Sequence, residues 1–310
     1  MKRFGIILLI MITLVVQAPI AAYGESNTTS IAEERYQLFK EQNLRLRKEI
    51  LQLRNQLSEK KASKIPVLMY HHLLKQEDID KYNWSDNGSV LSVETFEEQM
   101  DYLYENGFYT ATLDELQSFL DGEITLPEKT VVITFDDGYL SNVLYAYPTM
   151  KKYNFRGTIF MLGYRVDSVQ IPFDPSDTQS LSIYEAYKYE DVFDYESHTY
   201  ELHDVNEKGE KLLISSEEKI ILQDLIRSKE LLDAKYFAYP YGKYDENTIQ
   251  YLNETGFEMA FTIDSGYVTE ELNKYELPRF GISPRIPLSR FKRIVNGIEK
   301  VEPSQPDTIG

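Results

Sequence analysis

The chain has 310 residues, a formal net charge of −17 and no cysteine. This length suits one large domain or two smaller ones. The acidic balance argues against nucleic acid as a partner, because its phosphates would be repelled. The lack of cysteine excludes disulfides, thiolate nucleophiles and cysteine-ligated metals. A bound metal must therefore be held by His, Asp or Glu, and the chain has four histidines.

Residues 1–24 have the features of a targeting segment. Lys2 and Arg3 precede an apolar run over residues 6–16, and Ala22 and Gly24 supply small residues for a signal peptidase. The run is shorter than the roughly 20 residues of a membrane span. We expect a cleaved signal peptide, with an uncleaved membrane anchor as the alternative. Both predict an extracellular or cell-surface protein whose only membrane contact is this segment.

Residues 25–64 predict a helical stalk, since neither glycine nor proline occurs between Ile31 and Ile65. An apolar seam with alternating spacings of three and four residues runs along it. The seam residues are Tyr36, Phe39, Asn43, Leu46, Ile50, Leu53 and Leu57. A polar Asn at an a position often fixes the register of a coiled-coil dimer. The seam predicts a homodimer through residues 36–57; a stalk packed on its own catalytic domain is the alternative.

Residues 65–300 predict one catalytic domain in which strands alternate with helices, followed by a disordered tail at 301–310. Strands are expected at 66–70, 131–135, 158–162, 193–197, near 237 and at 259–263, with an extended segment at 277–282. Helices are expected at 94–106, 113–120, 142–153, 183–190, 216–232, 248–253 and 288–298, and loops at 75–90 and 163–180. Ser215 and Ser216 are the expected N-caps of the 216–232 helix. This alternation predicts an α/β fold with a parallel sheet or barrel.

Two adjacent carboxylates, Asp136 and Asp137, end the apolar strand at 131–135 and precede Gly138. The side-chain period of a strand is two, so the two carboxylates point in different directions. The C-terminal ends of parallel strands are the usual place for chemistry in α/β folds. One carboxylate can bind a metal while the other serves as a base; an acidic turn without function is the plain alternative.

Two histidines, His198 and His203, follow the predicted strand at 193–197, and the segment 239–242 follows another. A barrel would gather these strand ends and Asp136–Asp137 on one rim. Two neutral histidines and one carboxylate form a facial metal site with open positions. Such a metal activates water and polarises a carbonyl, while the second aspartate accepts a proton. The pattern predicts metal-assisted hydrolysis of an amide or ester.

These residues resemble the polysaccharide deacetylase family, carbohydrate esterase family 4. The segment Thr134-Phe135-Asp136-Asp137-Gly138 matches its first motif. The resemblance implies a distorted (β/α)7 barrel, Asp136 as catalytic base and Asp137, His198 and His203 as ligands of Zn²⁺, with Co²⁺, Ni²⁺ or Fe²⁺ as alternatives. It also implies that the backbone N–H of Tyr241 holds the oxyanion.

The spacing from His198 to His203 is one residue longer than in the usual second motif of the family. The longer form looks like that of poly-β-1,6-N-acetylglucosamine N-deacetylases of biofilm matrices. Segments at 70–71, 238–242 and 277–279 are similar too. The resemblance covers about residues 65–295.

The chain departs from the family pattern at two positions. Ala238 stands where the family has the arginine that orients the base, and no histidine follows His203 to serve as general acid. We expect Arg279 to replace the arginine and His71 to supply the acid, with a metal-bound water or no dedicated acid as alternatives. His72 is expected to point away from His71, because adjacent strand positions alternate.

The expected function is removal of acetyl groups from N-acetylglucosamine residues of an extracellular polysaccharide. Poly-β-1,6-N-acetylglucosamine is the first expectation for the substrate. Peptidoglycan or chitooligosaccharide deacetylation and acetyl xylan esterase activity use the same chemistry. A surface binding protein with a degenerate site is the alternative from another class.

Overall fold

The computed structural model describes residues 28–58, 60–166 and 169–301. The predicted targeting segment at 1–24 and all but the first residue of the predicted tail lie outside the described residues. Within those described ranges, no helix is both long and apolar enough to cross a membrane.

The predicted stalk is a helix, Thr28–Leu57. The chain divides into two compact units between Leu53 and Arg54, earlier than the predicted boundary at residue 65. The segment just after the division belongs to the catalytic unit through polar contacts. The Asn55 side-chain amide donates to the Thr125 carbonyl at 2.6 Å, and Lys61 bridges to Pro127.

The strands of the second unit are buried and mostly parallel. In chain order they are β1 (Ile65–Tyr70), β2 (His72–Leu74), β3 (Val90–Ser92), β4 (Tyr109–Thr110), β5 (Thr130–Phe135), β6 (Gly157–Met161), β7 (Phe193–Ser197), β8 (Tyr236–Ala238), β9 (Met259–Phe261), β10 (Tyr267–Val268) and β11 (Phe280–Gly281). The main sheet runs in the order β10-β1-β5-β6-β7-β8-β9. Strands β1 and β5 are buried at every position, as expected for parallel strands covered on both faces.

The extended segment 277–281 closes this sheet into a barrel. Leu277 pairs in parallel with Phe261 of β9, and Phe280 of β11 pairs in parallel with Leu68 of β1. Among the described residues, seven parallel segments thus surround the barrel: β1, β5, β6, β7, β8, β9 and 277–281. The expected α/β barrel is confirmed.

Helices pack outside the sheet, where apolar cores lie between the two layers. These helices, numbered after the stalk helix α1 (Thr28–Leu57) that is described by itself, are α2 (Gln76–Lys81), α3 (Val93–Glu105), α4 (Leu113–Leu120), α5 (Tyr147–Lys152), α6 (Gly163–Val166), α7 (Ile183–Ala186), α8 (Leu212–Ser215), α9 (Glu218–Leu232), α10 (Glu246–Glu254) and α11 (Leu288–Val295). A π-helix, Asn142–Ala146, precedes α5, and 3₁₀ turns cover Tyr187–Tyr189 and Pro240–Gly242.

Three local predictions were wrong. The segment predicted as a loop at 163–180 begins with the helix α6. The 75–90 segment is not a plain loop, because it contains the helix α2 and the start of β3. Helix α9 begins after Glu217, and neither predicted serine caps it. Ser215 ends the short helix α8 and Ser216 is extended, so α9 begins at Glu218, two residues later than predicted.

Candidate active site

The turn after β5 sends its two carboxylates to different environments. The Asp136 N–H donates to the Tyr70 carbonyl at 2.9 Å and so continues the ladder to β1. Asp137 and Gly138 then both have positive φ, at 69° and 64°. A short polar side chain tolerates this left-handed conformation, which is rare outside glycine. As a result Asp136 is buried, while Asp137 keeps 13 % of its side chain exposed.

Arg279 holds Asp136 with both arms of its guanidinium. Its two terminal nitrogens lie 2.7 Å from the two oxygens of the Asp136 carboxylate. Its Nε donates to the Thr262 carbonyl at 2.9 Å, so its orientation is fixed. Burial is the largest single influence on the pKa of Asp136 and raises it. The charge and hydrogen bonds of Arg279, together with the charges of His198 and His71, outweigh burial and hold the pKa at about 2. Asp136 is therefore ionised at neutral pH.

His198 is aligned by a backbone carbonyl. Its Nδ1 lies 2.7 Å from the Ala238 carbonyl oxygen, which can only accept, so Nδ1 carries the proton. The Nε2 lone pair is then free, and Nε2 lies 3.6 Å from Asp137 Oδ1. Burial lowers the pKa of His198 to about 4, although the charge of Asp136 acts the other way. The imidazole is thus neutral at physiological pH, the form that binds metals.

His203 completes a candidate metal centre. Its Nε2 lies 3.3 Å from Asp137 Oδ1, and ligand atoms of Asp137, His198 and His203 all lie within 4.8 Å of one another. Within the described part of the chain, Asp137 Oδ1 is buried and has no hydrogen-bond partner. A buried carboxylate oxygen without a donor is costly unless a cation takes its place. These three side chains therefore fit a divalent metal.

The turn after β8 lies beside this centre. Tyr241 and Gly242 have positive φ, at 56° and 66°, and a Cβ at position 242 would lie 2.3 Å from Ile263 Cγ1. Only glycine fits there, so the turn is sterically fixed. The Tyr241 ring centre lies 4.5 Å from that of His203. The turn is in place for the expected oxyanion contact, which stays a prediction.

The adjacent histidines after β1 differ as the strand period predicts. His71 is partly exposed, and its charge contributes to the low pKa of Asp136, after Arg279 and His198. His72 is 1 % exposed, and its Nδ1 lies 2.8 Å from Ser141 Oγ. Burial lowers the pKa of His72 to about 4. His71 is thus the histidine of the pair that faces solvent near the base; its role as acid stays a prediction.

Sequence reasoning missed two groups that support the histidines. One is the Ala238 carbonyl, since a backbone group leaves no mark in the side-chain pattern. The other is Asp224 of α9, a buried carboxylate that accepts N–H bonds from the loop between His198 and His203. A signal existed for Asp224, because it lies on the same helix face as Ile221, Leu225 and Ser228, all buried.

Comparison with known proteins places this chain in a family. Residues 123–260 match the model of the family described as polysaccharide deacetylase. YxkH of Bacillus subtilis is 29 % identical over 245 residues, covering 77 % of this chain and 78 % of that protein. A poly-β-1,6-N-acetyl-D-glucosamine N-deacetylase of Staphylococcus aureus is 27 % identical over 232 residues, covering 70 % of this chain and 78 % of its own.

A solved structure gives the same result for the fold. The structure of IcaB from Ammonifex degensii superposes with a TM-score of 0.62 at 27 % identity, covering 76 % of this chain and 97 % of the other. The segment that matches the family model, residues 123–260, contains all of the following: Asp136, Asp137, His198, His203 and Tyr241. The chain therefore carries a hydrolase domain of the polysaccharide deacetylase family, carbohydrate esterase family 4.

Proposed function

We propose that this protein is an exported, metal-dependent N-deacetylase of poly-β-1,6-N-acetylglucosamine. The observation that carries the proposal is the convergence of Asp137, His198 and His203 within 4.8 Å, beside an Asp136 carboxylate fixed by Arg279. Such a site suits hydrolysis of an acetamide into acetate and a free amine.

Zn²⁺ is the first expectation for the cation, with Co²⁺, Ni²⁺ or Fe²⁺ as alternatives. Bound by Asp137, His198 and His203, it would lower the pKa of water and polarise the acetyl carbonyl. His198 is held in the correct tautomer by the Ala238 carbonyl, an outer contact of the kind that orients metal ligands.

The remaining steps fall to residues of this chain. Asp136, with a pKa of about 2, is ionised at neutral pH and accepts the proton of the attacking water. A carboxylate with so low a pKa is a weak base, so it can accept this proton only if a bound metal lowers the pKa of the water. The Tyr241 N–H donates to the developing oxyanion. The C–N bond then breaks, and His71 delivers a proton to the leaving nitrogen.

The substrate assignment rests on relatives and on one motif. The S. aureus relative and the IcaB structure are each 27 % identical to this chain. The long His198–His203 spacing supports the same subfamily. The same site could serve peptidoglycan, chitooligosaccharide or acetylated xylan, since the reacting acetyl group is common to all.

Acetate release from purified polymers tests the substrate. We expect release from poly-β-1,6-N-acetylglucosamine by the wild type and none by Asp136→Asn. Strong release from peptidoglycan with none from the β-1,6 polymer would contradict the assignment. The alternative function is that of a binding protein with a degenerate site. Two results together would support it: the wild type binds no metal, and its acetate release equals that of Asp136→Asn.

Export is proposed from the charge and apolar pattern of residues 1–24 and from relatives named as deacetylases of poly-β-1,6-N-acetyl-D-glucosamine, a polymer expected outside the cell. Cell fractionation with an antibody against the catalytic domain tests it. We expect the protein in the medium or on the cell surface, and inside the cell when Lys2, Arg3 and the run at 6–16 are removed.

A further inference from the structure

The loop between the two histidine ligands turns its backbone N–H groups toward one carboxylate. The N–H groups of Tyr200, Glu201 and Leu202 donate to Asp224 at 2.9, 2.6 and 3.2 Å. Successive N–H groups around a common centre form a nest, which binds anions. Here the anion is a side chain of the same protein, Asp224 of α9, which is only 7 % exposed.

The other side of this loop is fixed as well. The carbonyls of Thr199 and Tyr200 accept N–H bonds from Gly163 and Tyr164 at 3.0 and 2.8 Å. A Cβ at Gly163 would lie 2.5 Å from the Tyr200 ring, so α6 and the loop touch closely. Thr199 has a positive φ of 77°, a strained conformation that persists only where the surroundings enforce it.

Helix α9 makes two more contacts around the histidines. Ser228 Oγ lies 2.8 Å from Ser197 Oγ at the end of β7, just before His198. The Arg227 guanidinium lies 3.5 Å from the centre of the Tyr200 ring, within the loop. None of these α9 residues is a candidate metal ligand, but Asp224 and Arg227 contact the segment that joins two of the ligands, and Ser228 contacts the residue before it.

We propose that Asp224 is a positioning residue of the metal centre: its carboxylate holds the backbone at 200–202 so that His203 reaches Asp137. The inference rests on the proposed metal-dependent function. The spacing between the ligands is one residue longer than in the usual motif, and the three N–H groups held by Asp224 all lie within that spacing. Burial raises the pKa of Asp224 to about 6 against the lowering effect of the three N–H groups, so the group is ionised at neutral pH.

Asp224→Asn tests this inference with little change in volume. One oxygen of the carboxylate becomes an NH₂ group, which cannot accept from the loop and repels at least one N–H. Glu196→Gln is the matched control. Glu196 is also 7 % exposed and accepts two backbone N–H bonds, from Lys235 and Tyr236 at 2.8 Å, but its bonds hold the start of β8.

The measurement is Zn²⁺ affinity of the full-length protein, by competition with a chromophoric chelator. We expect Asp224→Asn to weaken Zn²⁺ binding by about 10- to 100-fold, the usual effect of losing an outer contact. Glu196→Gln should stay within about threefold of the wild type. At saturating Zn²⁺, Asp224→Asn should recover most of the wild-type kcat for acetate release, with an unchanged KM for the polymer.

The outcomes separate this inference from the proposed function. If the wild type binds no Zn²⁺, the metal centre itself fails. If the wild type binds it and Asp224→Asn binds it equally well, only the positioning role fails. If Asp224→Asn does not fold, Arg227→Ala tests the inference instead, with Arg285→Ala as control because both arginines are exposed. We expect Arg227→Ala to bind Zn²⁺ about two- to fivefold more weakly than the control. Equal binding by the two variants would overturn the inference.

Discussion

Arg279 and Asp136 form a fully buried, two-pronged ion pair although 143 positions separate them in the chain. The guanidinium also lies 5.6 and 6.0 Å from the ring centres of Phe160 and Phe261. No water is needed to satisfy the carboxylate, because both its oxygens are paired. The arginine that the family motif would place at position 238 is thus replaced from the segment that closes the barrel.

Removing one partner of this pair should cost more than removing both. Arg279→Met leaves an unpaired buried charge, and we expect a loss of about 3–5 kcal/mol in the free energy of unfolding. The double variant Asp136→Asn/Arg279→Met should regain part of that stability while remaining inactive. Urea unfolding measures both. The exposed Arg285→Met serves as control, and a stable Arg279→Met with wild-type kcat would contradict this account.

The pair also predicts how stability depends on pH. The pKa of Asp136 is about 2 in the folded protein and 3.8 without these contacts. The unfolded state therefore binds the proton more readily, so the stabilisation is present above pH 4 and is lost as the pH falls through about 2. It amounts to about 2 kcal/mol. Urea unfolding at a series of pH values, without metal, measures this effect. Between pH 4 and about 2, the free energy of unfolding should fall less for Asp136→Asn than for the wild type. An equal fall for both proteins would refute the prediction.

Metal removal should abolish activity reversibly. We expect a chelator to stop acetate release and added Zn²⁺ to restore it. Asp137→Asn keeps a residue that tolerates the φ of 69° but lacks the negative charge. Its Zn²⁺ affinity should fall by more than about 100-fold, beyond the range seen for outer contacts. Activity that survives complete chelation would count against the Asp137, His198 and His203 centre.

His71 and His72 offer a neighbouring pair for testing the acid. His71→Asn should lower kcat on N-acetylated polymer by about 10²–10⁴-fold, the usual contribution of a general acid. It should spare an aryl acetate, because that leaving group departs without a proton. His72→Gln breaks the buried contact to Ser141 and should lower stability more than kcat. Equal losses of His71→Asn on both substrates would exclude His71 as the acid.

We propose that the seam of α1 pairs with a second copy of this chain. Its apolar members Phe39, Leu46, Ile50 and Leu53 are 48, 52, 38 and 57 % exposed, and Asn43 lies at an a position among them. Sedimentation should show a dimer for the wild type and a monomer for Leu46→Glu/Leu53→Glu. Changing the off-seam Leu44 to Glu should leave the dimer intact, and a monomeric wild type would refute the proposal.

The sequence was sufficient for the parts of the site that depend on local geometry. The strand period separated Asp136 from Asp137 and His71 from His72, and strand ends brought the histidines and the carboxylates to one rim. Arg279 was expected as the substitute for the arginine missing at position 238, but its exact partner atoms depend on closure of the barrel. The spacing of Asp224 from Ile221 and Leu225 marked the buried face of its helix, but its partners are backbone N–H groups, which the side-chain pattern does not reveal.

The segment 277–281 both closes the barrel and carries Arg279, so its pairing with β9 and β1 completes the sheet and supplies the partner of Asp136 together. Until that segment lies between β9 and β1, Asp136 has no counter-charge and its orientation is not fixed. During synthesis from the N-terminus, the chain would contain every candidate metal ligand well before it contains Arg279, the partner of the base. Catalytic competence is therefore a property of the finished barrel, and a chain truncated before residue 277 could bind a metal yet not hydrolyse.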